Sequence, residues 1–188
     1  MIIGLLAKKG FGKDTAGDYL VTNYGFKKVA FAEPLKDACA ILFGFTDEQL
    51  YGSLKEVVDE RWGVPPRKIL QYLGTDILRN EINTVIPGIG ENFWINRLKI
   101  NCEQNPDIKY VISDVRFQNE VDWIHEMGGV VIKIDRPILS DDRHGSEKNI
   151  DLIENYDKLI NNDGSIEEFY EKIDVVFKTI INNISNLI

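Results

Sequence analysis

The apolar positions along the chain switch repeatedly between a strand period and a helix period. Met1-Ile2-Ile3-Gly4-Leu5-Leu6 is an unbroken apolar run of the kind that buried parallel strands show. After a polar, glycine-rich stretch, Ala16, Leu20 and Tyr24 fall on one helical face with Val21 beside them. Phe26–Ala32 reads as a second strand, ended by Glu33-Pro34, and Leu35, Ala38, Cys39 and Leu42 then mark a helix. Residues 44–64 are irregular or short-helical, punctuated by Gly44, Gly52 and Gly63. Pro65-Pro66 opens a helix with Ile69, Leu70, Leu73, Ile77 and Leu78 on its apolar side. Thr84–Asn92 reads as a loop and Phe93–Cys102 as another helix.

The second half repeats the alternation. Lys109–Ser113 is a third strand, ending at Asp114, and Phe117, Val121, Ile124 and Met127 give a helix closed by Gly128-Gly129. Val130–Ile134 and Tyr156–Ile160 are the fourth and fifth strands. Between them, Arg136–Ile150 is polar, mixed in charge and broken by Pro137 and Gly145, which predicts a mobile loop. A turn at Asn161–Gly164 precedes a last helix whose stripe is Ile166, Phe169, Tyr170, Ile173, Phe177, Ile180, Ile184 and Leu187. Strands alternating with helices predict an α/β fold with a parallel sheet covered on both faces, and such sheets bind ligands at the carboxyl ends of their strands. That rule puts the loop after Leu6, Asp114, Arg136 and the turn after Ile160 on one rim.

Composition adds limits. The 188 residues suffice for one domain with a full core, and 44% hydrophobic with 28% charged residues is ordinary for a globular protein. A net charge of −8 argues against a surface built for nucleic acid, while leaving room for a local basic cleft. Cys39 and Cys102 are far apart in helical contexts, which indicates neither a disulfide framework nor a metal cluster and fits a reducing cytoplasm. The opening apolar run is too short for a membrane span, so no membrane partner is expected. The long stripe of the last helix leaves room for a homodimer.

Candidate chemistry centres on Ala7-Lys8-Lys9-Gly10-Phe11-Gly12-Lys13-Asp14-Thr15. A strand, a glycine loop and a helix in succession offer backbone N–H groups and a positive helix end to an anion. The pattern is close to the phosphate-binding loop Gly-x-x-x-x-Gly-Lys-Ser/Thr, with Ala7 at the first glycine and Asp14 after the lysine. Lys13 is placed to neutralise outer phosphates, and Thr15 to bond an inner one. Asp14 stands where a hydroxyl usually meets magnesium; a carboxylate serves as a hard ligand, or simply offsets the helix dipole. Asp114, at a strand end, reads either as the second acid that orders magnesium or as a cap of the next helix. Arg67, Arg79, Arg116, Arg136 and Arg143 form a set suited to holding two phosphate-bearing reactants, although each alone also reads as a surface ion pair. Trp94, Phe93 and Trp62 read as base-stacking rings or as packed aromatics. His125 and His144 have no triad context.

Six blocks carry a family resemblance: Gly10–Thr15, Phe31–Lys36, Leu70–Asp76 with Arg79, Ser113–Glu120, Ile134–Pro137 with His144–Glu147, and Ile160–Gly164. Taken in order, they resemble the bacteriophage deoxynucleoside monophosphate kinases, and more distantly phosphomevalonate kinase. The resemblance implies a three-layer α/β/α P-loop fold of the nucleoside monophosphate kinase type. It would have a five-stranded parallel sheet, a helical substrate-binding insert near residues 44–104 and a lid near residues 136–150. It implies ATP as phosphoryl donor, Mg2+, and a small deoxynucleoside monophosphate as acceptor. By this resemblance Gly10, Phe11, Gly12, Lys13, Asp14 and Thr15 hold ATP and its metal, and Asn161 and Gly164 lie near the adenine. Arg67, Gln71, Thr75, Asp76 and Arg79 line the monophosphate pocket, Asp114 and Arg116 sit between the substrates, and Arg136 and Arg143 belong to the lid. Phe11 departs from the small residue common at its place. A kinase of another small phosphorylated metabolite and a catalytically silent nucleotide-binding module are the competing functions.

Overall fold

A computed structural model describes residues 1–137 and 148–185. In chain order, the first elements are β1 (Ile2–Leu6), α1 (Lys13–Tyr24), β2 (Lys27–Val29), α2 (Glu33–Phe43), α3 (Asp47–Leu50), α4 (Pro66–Gln71) and α5 (Phe93–Gln104). They are followed by β3 (Tyr110–Val115), α6 (Gln118–Glu126), β4 (Val130–Asp135), α7 (Lys148–Leu152), β5 (Lys158–Asn161) and α8 (Ile166–Ser185). The chain divides into two compact units, Met1–Ala30 with Gln104–Ile188, and Phe31–Glu103.

The first unit holds a five-stranded sheet in the order β2-β3-β1-β4-β5, every pair parallel. β1 is central and buried along its whole length, as its unbroken apolar run requires. The strand order reverses at β1, so the loop that leaves Leu6 opens where the neighbouring connections diverge. Beside it, Gly4 pairs with Ile112 but Leu6 with Val115, so β3 spends one residue more than β1 over this step. This bulge carries the strand on to Val115 and puts Asp114 inside β3, one place before its end, whereas the sequence pattern ends the strand at Asp114. β2 is also shorter than expected. It stops at Val29, and Glu33-Pro34 opens α2 rather than merely closing a strand, with proline in the first helical turn.

The core is closed from the far end of the chain. Phe169, Ile173, Phe177 and Ile180 of α8 are buried with Leu20, Phe26, Ile132 and Ile160. Each such side chain contributes about 1.5–3 kcal/mol on burial. Most of the stripe expected to offer a dimer face is therefore consumed within the chain; Ile184 and Leu187 lie outside the described side chains. α8 also grips α1 through polar groups. Tyr19 stacks on Tyr170 at 4.5 Å between ring centroids, and Asp174 accepts from two tyrosine hydroxyls of α1.

The second unit, Phe31–Glu103, opens with α2, which packs on α3 and α4. Its irregular part is knotted by the buried Asp59 carboxylate. That group accepts from Gln49 Nε2 at 2.7 Å and from the Arg61 backbone and guanidinium. Pro65-Pro66 opens α4 as predicted, but past Gln71 the coil widens to i→i+5 bonding over Tyr72–Asn80. Here the Gly74 carbonyl accepts the Trp94 indole N–H at 3.0 Å, and an outside donor entering the ladder is a known cause of such widening. A Cβ at Gly74 would come 2.8 Å from Leu35 Cδ2, so a larger residue there would have to push aside the tip of that side chain. Cys39 and Cys102 are both buried free thiols. Among the described residues no helix is long and apolar enough to cross a membrane.

Candidate functional site

The glycine loop lies between β1 and α1. Gly10 has φ 80 and Gly12 φ 102, the left-handed region that only glycine enters cheaply. Gly12 is also the N-cap of α1, with no side-chain cap bond. The first N–H groups of that helix thus keep no partner from a capping side chain, and together with the positive helix end they form a donor set for an anion. Lys13, in the first turn, is 14% exposed, and its Nζ lies 3.4 Å from Asp14 Oδ2, which is 69% exposed.

A cavity of about 290 Å³ opens over this loop. Gly10, Gly12, Asp14, Thr15, Arg136 and Gly164 line it, and all six were singled out from the sequence. Asn162, Ile166 and Phe169 line it too. Asn161, expected near it, is exposed, and its carbonyl accepts from Lys172 Nζ at 2.9 Å. The alternation of β5 explains the exchange. Ile160 and Asn162 turn inward and Asn161 outward, a period-two signal that the sequence already carried. Ile166 and Phe169 were legible only as part of the helical stripe.

Phe11 contributes through its backbone. Its ring is buried in the core cluster, and its carbonyl accepts from Asn162 Nδ2 at 2.9 Å. Lys8, at the start of the loop, pairs with Asp151 of α7 at 2.6 Å. The turn after β5 is fixed by Lys172, which reaches Asp163 at 2.5 Å, and the Ser165 N–H donates to Glu168 Oε2 at 2.8 Å, within the first turn of α8.

Asp114 is half-buried, one strand over from Leu6, and does not line the cavity. Arg116 is exposed just past β3. Its backbone N–H and that of Phe117 donate to Glu120, a buried carboxylate that closes the start of α6 and that sequence reasoning did not single out. The Asp14 carboxylate and Thr15 hydroxyl at the cavity are hard oxygen donors, the kind that Mg2+ takes in ones and twos with water and phosphate completing its shell. Among the described residues no group of three or more His, Cys, Asp or Glu forms a protein-only metal cage.

The residues expected around the acceptor all belong to the second unit. Gln71, Thr75 and Asp76 are exposed along the end of α4 and the wide turns, and Arg79 is half-buried there. Arg67 is ion-paired with Glu56. Trp94 is 4% exposed and packs edge-on to Phe93, so its indole is a strut under Gly74 and presents no face for stacking on a base. Arg143, His144 and most of the expected lid lie outside the described residues.

Comparison with known proteins gives the following. Residues 48–173 match the family described as deoxynucleotide monophosphate kinase. A putative deoxynucleotide monophosphate kinase of Acanthamoeba polyphaga mimivirus is 48% identical over 181 residues, covering 92% of this chain and 94% of that protein. The deoxynucleotide monophosphate kinase of Enterobacteria phage T4 is 24% identical over 95% of this chain and 99% of its own. Among solved structures, shikimate kinase from Aquifex aeolicus superposes with a TM-score of 0.54 at 14% identity, over 95% of this chain and 96% of that one, a likeness of fold.

Proposed function

The chain belongs to the deoxynucleotide monophosphate kinase family, and from that premise we propose that it transfers the γ-phosphoryl group of ATP to a deoxynucleoside 5′-monophosphate, yielding the diphosphate and ADP. The observation that carries the reading on this chain is the uncapped start of α1 beneath the cavity, with Lys13 in its first turn.

In this reading the Gly10–Thr15 loop cradles the donor phosphates by its backbone, and Lys13 neutralises charge that grows between the outer phosphates during transfer. Arg136 adds a bidentate cation at the cavity wall, and Ile166, Phe169 and Gly164 supply the apolar side for the nucleoside. Asp14 and Thr15, with Asp114 on the neighbouring strand, are the residues suited to hold Mg2+, which when bound spreads the phosphate charge. Gln71, Thr75, Asp76 and Arg79 orient the acceptor, and Arg67, Arg116 and Arg143 add positive charge. No side-chain nucleophile is required, because an oxygen of the acceptor phosphate attacks the γ-phosphorus and ADP leaves; positioning and charge neutralisation do the rest.

The test is ADP release with ATP and Mg2+ in the presence of dAMP, dGMP, dCMP, dTMP, their ribose counterparts or phosphomevalonate. Turnover with at least one deoxynucleotide is expected. Turnover confined to phosphomevalonate, or ATP binding with no acceptor-dependent ADP release, would overturn the reading.

A further inference from the structure

We infer that Asn162 is a positioning residue for the phosphate loop: its side-chain amide holds the Phe11–Gly12 peptide in the orientation that turns the Gly12 N–H toward donor phosphates. The inference rests on the nucleotide-site reading above and names a residue that the family resemblance did not single out.

Asn162 is buried, and its two N–H groups reach in different directions. The backbone N–H donates to the Asp135 carbonyl at 2.7 Å, at the end of β4 where Arg136 begins. The side-chain Nδ2 donates to the Phe11 carbonyl at 2.9 Å. Because the partner is a carbonyl, which only accepts, the amide must present its NH2 to it. One residue therefore fastens the loop after β1 to the exit of β4.

The consequence for the loop follows from peptide geometry. In a planar trans peptide the C=O and the next N–H point in opposite directions. Pinning the Phe11 carbonyl on Asn162 aims the Gly12 N–H away from Asn162. The peptide is next to a glycine at φ 102, where the backbone otherwise has more freedom than at any other residue type. A Cβ on Gly12 would stand 2.6 Å from Asn162 Nδ2, so the amide and the bare glycine are matched to each other. The bond is buried, so losing the donor leaves the Phe11 carbonyl without this partner and frees the peptide to rotate.

Asn162 also lines the cavity, so direct contact with the nucleoside is the rival role. A phosphate-only probe separates the two. We would measure the dissociation constants of ADP and of inorganic tripolyphosphate by calorimetry on wild type, Asn162→Ala, Asn162→Leu and Lys172→Met. Leucine keeps the branched shape of the side chain and removes the donor. Lys172 braces the same turn through Asn161 and Asp163 without touching the loop. Both Asn162 variants are expected to bind both probes about 3- to 10-fold more weakly, the worth of one buried hydrogen bond, with Lys172→Met within about twofold of wild type. Loss of ADP affinity alone would assign Asn162 to the nucleoside and overturn the proposal. So would an equal loss in Lys172→Met, or no loss in either Asn162 variant. Neither probe needs an acceptor, so a wild type that binds ADP but turns over no deoxynucleotide would overturn the proposed activity while this comparison still decides the role of Asn162.

Discussion

The Tyr24 hydroxyl donates to Asp174 Oδ1 at 2.6 Å, joining the end of α1 to the middle of α8. Tyr19 donates to the same oxygen at 3.0 Å. The bond and the burial of the ring push the Tyr24 phenol from 10.0 up to about 12, and hold the Asp174 carboxyl below its usual range. A raised phenol stabilises the fold below its unfolded pKa and loses that contribution as pH climbs from 10.0 to about 12. A lowered carboxyl stabilises above its unfolded pKa and loses that contribution as pH falls through its folded value.

Tyr24→Phe is therefore expected to lower stability by about 1 kcal/mol at neutral pH. The gap from wild type, read from urea midpoints, should be flat between about pH 5 and pH 9 and close on either side. A gap that stays constant to pH 12 would show that the loss does not come from the bond that raises the phenol.

Lys13→Ala should leave the fold intact, since Lys13 is outside the apolar core cluster and its ammonium pairs with the exposed Asp14 carboxylate. Transfer should fall by about a thousandfold, the scale of losing a preorganised charge at the transition state. Steady-state rates beside a thermal melt check this. A variant with wild-type turnover would remove Lys13 from the chemistry.

Trp94→Phe keeps a buried ring and deletes the donor to Gly74. It should cost about 1 kcal/mol and let the Tyr72–Asn80 coil relax toward ordinary helical spacing, shifting Thr75, Asp76 and Arg79 around the helix axis. The expected signature is a raised KM for the deoxynucleotide with the KM for ATP unchanged. Equal shifts in both would mean that the wide turns do not serve the acceptor.

Which features were legible in the sequence depended on how far away their causes lie. β1, the glycine loop and α1 are written in adjacent residues, and the apolar run, the left-handed glycines and the helical face all appear where the pattern puts them. So are the five strands and the α8 stripe. The misplacements come from long-range partners. Asp114 sits inside β3 because a bulge against β1 absorbs one residue, and pairing register is invisible in β3 alone. The wide turns after Gln71 hold a carbonyl that accepts from an indole N–H twenty positions beyond Gly74, a partner that the local pattern does not show. That Trp94 is 4% exposed is likewise set by packing that its own segment does not show. Asn162 was within reach, because alternation from the buried Ile160 skips Asn161 and lands on it.

The partnership of Phe11 with Asn162 spans almost the whole chain, and the core around the loop draws on Ile160, Phe169, Ile173 and Phe177. During synthesis the loop leaves the ribosome near the beginning, long before any of these partners exists. A nascent chain that has emerged only to residue 150 carries every letter of the phosphate motif but lacks Asn162 and the α8 side chains that pack around it. The full set of contacts around the loop is therefore completed only once the last helix has emerged.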